Sequence, residues 1–232
     1  MFTPLARELG LEFPIFAFTH CRDVAAAVSK AGGLGVLGVA GHSTKNLEME
    51  LAWIEKEIGD KPYGVGLLLP TRFAGSERGG LDAEAMDAAI PPGHRAFVDE
   101  LLARHGVPPL PADVVPGSGF SVGYERQREV IERLFRHPIG LIASALGPPP
   151  PWMIETGRER GVKVAALAGT VERARRHVEA GGDIVVAQGT EAGGHTGSIS
   201  TLVLVPEVVD AVSPVPVRAA GGIGNARQLT AA

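Results

Sequence analysis

One glycine-rich, polar segment of the sequence combines residue types that could do chemistry. Residues 186–197 begin as an apolar run and continue as Gln188-Gly189-Thr190-Glu191-Ala192-Gly193-Gly194-His195-Thr196-Gly197. Adjacent glycines let a ligand approach the backbone closely. An imidazole titrates near neutral pH, which suits general acid–base catalysis. We therefore interpret His195 as a candidate catalytic base; the alternative is a loop histidine with a structural role.

A second glycine-rich segment ends the last apolar run. It reads Arg218-Ala219-Ala220-Gly221-Gly222-Ile223-Gly224-Asn225 and is followed by a helical pattern that Asn225 could cap. Backbone N–H groups at a glycine turn and at a helix N-terminus favour an anion. In (β/α)8 barrels the loops after strands seven and eight commonly hold phosphate. This segment predicts a phosphorylated cofactor or substrate.

Two further patterns are weaker. His20 and Cys21 follow the first apolar run, but they lack partners at metal-ligand spacing, so we expect no metal site. Residues 31–36 superficially resemble a dinucleotide fingerprint. They precede and enter a strand instead of joining a strand to a following helix, so we reject that interpretation.

The elements that must position these residues are short apolar runs separated by helical patterns. Runs without period-two alternation suit a parallel sheet that is buried on both faces. Strand–helix alternation implies right-handed crossovers between neighbouring parallel strands. Seven such runs occur, at residues 13–18, 34–39, 63–69, 139–146, 162–167, 183–188 and 215–220.

This pattern predicts an α/β fold, a (β/α)8 TIM-type barrel formed by residues 1–232 as a single domain. An eighth strand is missing, because the sequence stops inside an apparent helix at Ala232. We expect the chain to be the front part of a longer barrel, or to lack a C-terminal segment. Strands one and seven would then be open edges, which favour aggregation.

The connection after strand three is unusually long. Roughly 70 residues separate Leu69 from Ile139, against the usual handful plus one helix. We assign residues 71–138 to an insert with several helical patterns, which leaves the carboxyl end of a strand and therefore the active face of a barrel. We interpret this insert as a lid or substrate-selecting segment; the alternative is a surface insertion without a functional role.

Composition excludes several classes of protein. Hydrophobic residues make up 45% of the 232 residues and charged residues 21%, which excludes a disordered chain. A net charge of −4 argues against nucleic acid binding. No apolar run reaches the roughly 18 residues of a membrane span. A single cysteine, Cys21, cannot form an internal disulfide, and we expect a cytoplasmic protein.

The motifs resemble those of the nitronate monooxygenase family, formerly called 2-nitropropane dioxygenases. The resemblance rests on residues 188–197 and 219–223, and on the order of the opening strands, and it extends over essentially the whole chain. The sequence Glu191-Ala192-Gly193-Gly194-His195 is fairly specific to this family and to its relatives, the flavin-dependent enoyl-acyl-carrier-protein reductases.

The resemblance implies an FMN enzyme that oxidises alkyl nitronates or nitroalkanes with O2 to a carbonyl compound and nitrite. His195 matches the family's general base. The other residues assigned to the cofactor are Ala17, Gly66, Gln188, Gly193, Gly194, Gly221 and Gly222. Among them, Gly221 and Gly222 match the phosphate-binding glycines.

The sequence departs from the family at two of these assigned positions. Ala17 begins Ala17-Phe18-Thr19 where the family commonly reads Ala-Pro-Met, and Gly66 stands where the family often has asparagine. The family's last phosphate loop follows strand eight. A chain that truly ended at Ala232 is therefore expected to hold FMN poorly.

Two alternative functions stay open. The first is an NAD(P)H-dependent FMN reductase that acts on an enoyl thioester. The second is a truncated barrel that binds flavin or phosphate without turnover. The expected partners are a small-molecule substrate and O2, and a homodimer is compatible with the sequence.

Overall fold

Seven parallel strands in one sheet organise the protein. The computed structural model describes residues 3–71, 83–111 and 124–232. The strands are β1 Phe16–Thr19, β2 Leu34–Gly38, β3 Tyr63–Leu68, β4 Leu141–Ala145, β5 Lys163–Ala168, β6 Ile184–Gln188 and β7 Val217–Ala220. Every neighbouring pair is parallel, and the strands follow one another across the sheet in chain order. This is the strand order of a (β/α)8 barrel, so the predicted α/β barrel with seven strands is confirmed.

Helices precede, separate and follow the strands. They are α1 Pro4–Glu8, α2 Arg22–Lys30, α3 Thr44–Ile58, α4 Ala83–Ala88, α5 Pro92–Arg104, α6 Tyr124–Leu134, α7 Pro151–Arg160, α8 Val171–Glu179, α9 Thr201–Val212 and α10 Ala226–Ala231. None of these described helices is long and apolar enough to cross a membrane.

Local signals explain most helix boundaries. The Ser43, Thr170 and Asn225 side chains accept N–H hydrogen bonds at the first turns of α3, α8 and α10, which is the role of an N-cap residue. Helix α9 begins at Thr201, after the N-cap residue Ser200.

The inner face of the sheet packs against an element that the sequence analysis does not predict. Helix α1 and the residues after it contribute buried side chains to the interior, including Leu5 and Leu9. They contact the inward-facing side chains of the strands, among them Leu34, Leu141 and Ile184. Helix α1 therefore covers one end of the interior, and leaves the carboxyl ends of the strands for a site.

The stretch at residues 71–138 contains two kinds of element. Every residue of α5 is exposed to solvent. In contrast, Ile131 and Leu134 of α6 are fully buried in the core beneath α3 and α7, together with Phe135. Helix α6 thus covers the strand pair β3–β4, whereas α5 is peripheral. Residues 72–82 and 112–123 of the predicted insert lie outside the described residues.

A partly buried arginine on β7 contacts the chain segment that leads into β1. Arg218 Nη2 donates a hydrogen bond to the Pro14 carbonyl (2.7 Å), and its guanidinium lies 3.3 Å from the centroid of the Phe16 ring. Burial lowers the pKa of Arg218 to about 10. Within the described residues, β1 and β7 pair on one side only, and this side chain spans the space between them.

Candidate active site

The two glycine-rich segments lie side by side at the carboxyl ends of β6 and β7. These strands are neighbours, with Gln188 opposite Ala220, so the loops that follow them leave the sheet together. In parallel barrels this face carries the functional loops. The fold therefore brings His195 and the Gly221–Gly222 turn to one side of the barrel mouth.

A carboxylate fixes the first of these loops. Glu191 Oε2 accepts hydrogen bonds from the Thr201 N–H (2.9 Å) and from the Thr201 hydroxyl (2.8 Å), and Thr190 Oγ1 lies 3.2 Å away. Ser200, the N-cap residue of α9, makes no side-chain cap hydrogen bond, so Glu191 supplies that function from the loop. The Thr201 N–H, followed by the N–H of Glu191 itself and the Thr201 hydroxyl, lowers the pKa of the Glu191 carboxyl.

Thr201 joins this loop to the second one. Its Oγ1 also lies 3.1 Å from the Gly221 carbonyl oxygen. A Cβ atom on Gly189 would overlap Thr201 Oγ1 and N, and a Cβ on Gly221 would lie 2.6 Å from the same hydroxyl. The close approach of three chain segments therefore requires glycine at both positions. Sequence reasoning misses Thr201, because nothing in its local pattern marks the contact.

His195 lies on the part of the loop that is held at both ends. On one side is the Glu191–Thr201 contact, and on the other Gly197 packs against the Gly169 backbone, where a Cβ on Gly197 would lie 2.6 Å from the Gly169 oxygen. Between them, a Cβ on Gly193 or Gly194 would meet nothing within 4 Å. The exposed His195 side chain forms no hydrogen bond with any described residue.

Gln188 is a second polar group available to a ligand. It shares the inward-facing side of β6 with Ile184 and Val186, which pack in the interior cluster. The side-chain amide of this partly buried residue makes no hydrogen bond within the described part of the chain. A free amide can both donate and accept at the edge of a bound ring system.

The turn after β7 is suited to an anion. Gly221 and Gly222 have φ angles of +122° and +71°, and the N–H groups of Gly222 and Ile223 have no acceptor among the described residues. Helix α10 offers fewer free N–H groups to an anion than its sequence pattern suggests. Helix α10 has only six residues, and the Asn225 side chain already accepts its Arg227 and Gln228 N–H groups. The N–H groups that could contact an anion are therefore those of the glycine turn.

The remaining two predicted site residues lie on the other side of the mouth. Gly66 is inward-facing on β3, and the Phe18 ring lies over it. Ala17 is opposite Gly35, whose added Cβ would overlap Ala25 of α2, so the Ala17 side chain faces the helices and only its backbone can serve the mouth. Neither residue contacts the two glycine loops.

Two further residues at this face were not assigned to the site from sequence. Phe18 is the inward-facing residue at the carboxyl end of β1, and its ring contacts His20 edge to face. The second is Arg218, the partly buried arginine described above. A single arginine inside an apolar run is unusual, so the sequence could have indicated a role for Arg218. In contrast, no neighbouring residue in the sequence indicates that the Phe18 ring covers other strands.

These groups fit a phosphorylated, planar cofactor. The glycine turn offers free N–H groups for a phosphate, Gln188 offers an unpaired amide, and the inward-facing positions near the mouth are small or apolar. Those apolar positions are Phe18, Gly38, Gly66, Leu68, Ala145, Leu167 and Ala220. A flavin nucleotide combines a phosphate with a planar ring, so these residues could hold one.

The lowered pKa of Glu191 leads to a testable pH dependence. Since the carboxyl is more acidic in the folded state, its contribution to stability is present above the ordinary glutamate pKa of about 4.3 and is lost as pH falls through the lower folded value. We expect Glu191→Gln to reduce the free energy of unfolding most near neutral pH, and the difference from wild type to shrink towards pH 3. Urea unfolding between pH 3 and pH 7 measures this.

Glu57→Gln is the matched control for Glu191→Gln. Lys30 lowers the pKa of Glu57 on α3, far from the loops, so this variant should show a similar trend in stability. Only Glu191→Gln should speed hydrogen exchange at the Thr201 amide. A stability difference that stays constant across the pH range would contradict the role of the Glu191 carboxylate.

Comparison with known proteins identifies relatives of the whole chain. The sequence model of the nitronate monooxygenase family matches residues 13–232. A Mycobacterium tuberculosis protein named "Putative monooxygenase Rv1533" is 56% identical over 234 residues, which cover 100% of this chain and 62% of that protein. A Staphylococcus saprophyticus protein named "Probable nitronate monooxygenase" is 31% identical over 240 residues, covering 96% of this chain and 61% of that protein.

The structural comparison agrees with the sequence comparison. The crystal structure of a nitroalkane oxidase from Streptomyces ansochromogenes superimposes with a TM-score of 0.73 at 28% identity, covering 97% of this chain and 64% of that one. The chain thus spans a little over 60% of the length of the relatives it matches.

Proposed function

The chain belongs to the nitronate monooxygenase family, and from this premise we propose that the protein is an FMN-dependent oxidoreductase that oxidises alkyl nitronates with O2. The products are a carbonyl compound and nitrite. One observation supports the proposal most directly. The Thr201 hydroxyl contacts both Glu191 and the Gly221 carbonyl, and so joins the loop that carries His195 to the glycine turn that could bind an anion.

The binding roles follow from which groups are free. The Gly222 and Ile223 N–H groups would hold the FMN phosphate, since they have no acceptor among the described residues. The Gln188 amide would hydrogen-bond the ring system, with the backbone at Gly193 and Gly194 close by. FMN held there would supply the redox chemistry, which is electron acceptance from the substrate and transfer to O2.

His195 would supply the proton transfer. A neutral nitroalkane must lose its α-proton before it becomes a nitronate, and the His195 imidazole, unpaired and exposed at the mouth, can accept that proton. A nitronate added directly has already lost it. Loss of His195 should therefore affect only neutral nitroalkanes, whereas loss of a cofactor-binding residue should affect both substrate forms.

The test is anaerobic reduction of the FMN-loaded protein. The visible absorption bands of the flavin should bleach when a nitronate is added under argon, and return on admission of O2 with formation of nitrite. NAD(P)H in place of the nitronate is the comparison. Bleaching by NAD(P)H alone would replace the proposal by the enoyl-thioester reductase, whereas bound FMN that neither donor reduces would indicate a flavin-binding protein without turnover.

A further inference from the structure

Phe18 has an unusual position for a large apolar side chain. It shares the inward face of β1 with the interior residue Phe16, yet 62% of its surface is exposed to solvent at the barrel mouth. Exposure of a single ring does not by itself mark a binding site, and what distinguishes Phe18 is that its ring packs on glycines of the two neighbouring strands.

Two glycines allow this ring to lie across the neighbouring strands. A Cβ on Gly38 of β2 would be 2.7 Å from Phe18 Cζ, and a Cβ on Gly66 of β3 would be 2.8 Å from Phe18 Cε2. Any larger residue at either position would push the ring away. The ring therefore covers the ends of two strands and extends over the mouth.

A second ring supports the first. The His20 imidazole meets Phe18 edge to face, with ring centroids 5.2 Å apart and planes at 84°. His20 itself lies next to Gly38, whose added Cβ would be 2.7 Å from His20 Cε1. The edge-to-face contact leaves the exposed surface of Phe18 available to a flat ligand.

The Gly221–Gly222 turn and Phe18 both lie at the carboxyl ends of their strands, at a similar level along the barrel axis. Arg218 of β7 reaches Pro14, so one side chain spans the distance between the two chain segments. Gly221 is three residues beyond Arg218 and Phe18 is four residues beyond Pro14, along strands that run in the same direction. One ligand with a phosphate at one end and a ring at the other can reach both places.

We propose that Phe18 is a flavin-binding residue of this protein, whose ring packs against the isoalloxazine of FMN and is held in place by His20. Gly38 and Gly66 are the positions that make room for it. This inference rests on the proposed function, since it requires that FMN is the ligand. The uncharged positions around Phe18 match the apolar part of the isoalloxazine.

The experiment is a fluorescence titration of FMN and of riboflavin into the purified protein and its variants. Phe18→Ala is expected to weaken both ligands about tenfold, the upper value for an aromatic ring contact, because both carry the same ring system. Phe18→Leu should have a smaller effect. The dissociation constant of inorganic phosphate, obtained from its competition with FMN, should be the same for wild type and Phe18→Ala, because phosphate does not contact the ring.

Phe97→Ala is the matched control. Phe97 on α5 is also 62% exposed, so the two variants remove the same exposed ring from different places. The dissociation constants of Phe97→Ala for FMN and riboflavin should equal those of wild type. Circular dichroism and thermal unfolding would establish that both variants are folded.

A second pair of variants tests the contact with Gly66. Gly66→Ala should weaken flavin binding while Phe18 is present, because its methyl group displaces the ring, and should add little in the Phe18→Ala background. Equal flavin affinities of Phe18→Ala and Phe97→Ala would overturn the role of Phe18 but leave the proposed function standing. A wild-type protein that binds neither FMN nor riboflavin would overturn the proposed function as well.

Discussion

Replacing His195 by Asn is expected to lower kcat/KM for neutral nitroalkanes by about 10²- to 10⁴-fold, the usual contribution of a general base. The same variant should oxidise preformed nitronates nearly as fast as wild type, since those substrates no longer carry the proton. The measurement is steady-state oxygen consumption with each nitroalkane and with its nitronate, at one pH and with FMN in excess.

The expected selectivity follows from the surroundings of His195. Its side chain makes no hydrogen bond with a described residue, and the adjacent Gly193 and Gly194 lie in open space, so its removal should not disturb the Glu191–Thr201 contact. His105→Asn, at the exposed end of α5, serves as the control and should behave as wild type. Equal losses on both substrate forms would exclude His195 as the base.

Replacing Gly221 by Ala is expected to cost about 3 kcal/mol of stability and to weaken FMN binding tenfold or more. Its φ of +122° is rarely adopted by residues with a side chain, and the new methyl group would lie 2.6 Å from Thr201 Oγ1 and 3.0 Å from the Ala192 nitrogen. Relief of that contact must move the turn whose N–H groups would hold the phosphate. Urea unfolding and FMN titration measure the two effects.

Gly161→Ala separates backbone strain from damage to the site. Gly161 follows α7 with a φ of +68°, and a Cβ there would meet nothing within 4 Å. We expect this variant to lose about 1 kcal/mol through backbone strain alone and to bind FMN as wild type does. Riboflavin, which lacks the phosphate, should be less affected than FMN by Gly221→Ala. Unchanged FMN affinity in Gly221→Ala would show that the turn does not hold the phosphate.

The sequence by itself determined the elements and their order. Short apolar runs became parallel strands, and capping side chains such as Ser43 and Thr170 fixed helix starts, because these signals act between residues that are close in the chain. The position of His195 after β6, and of Gly221 after β7, was likewise predictable. In a parallel sheet every strand delivers its following loop to the same face.

Only the tertiary structure decided how these loops are held and what lies opposite them. The Thr201 hydroxyl meets a carbonyl twenty residues away at Gly221, and Arg218 meets Pro14 across 204 residues. The ring of Phe18 lies over glycines on two other strands. Such contacts depend on the curvature of the sheet and on the stagger between strands, which no local pattern of residues encodes. The residues at the mouth of the barrel were therefore predictable from the sequence, but the contacts that hold them were not.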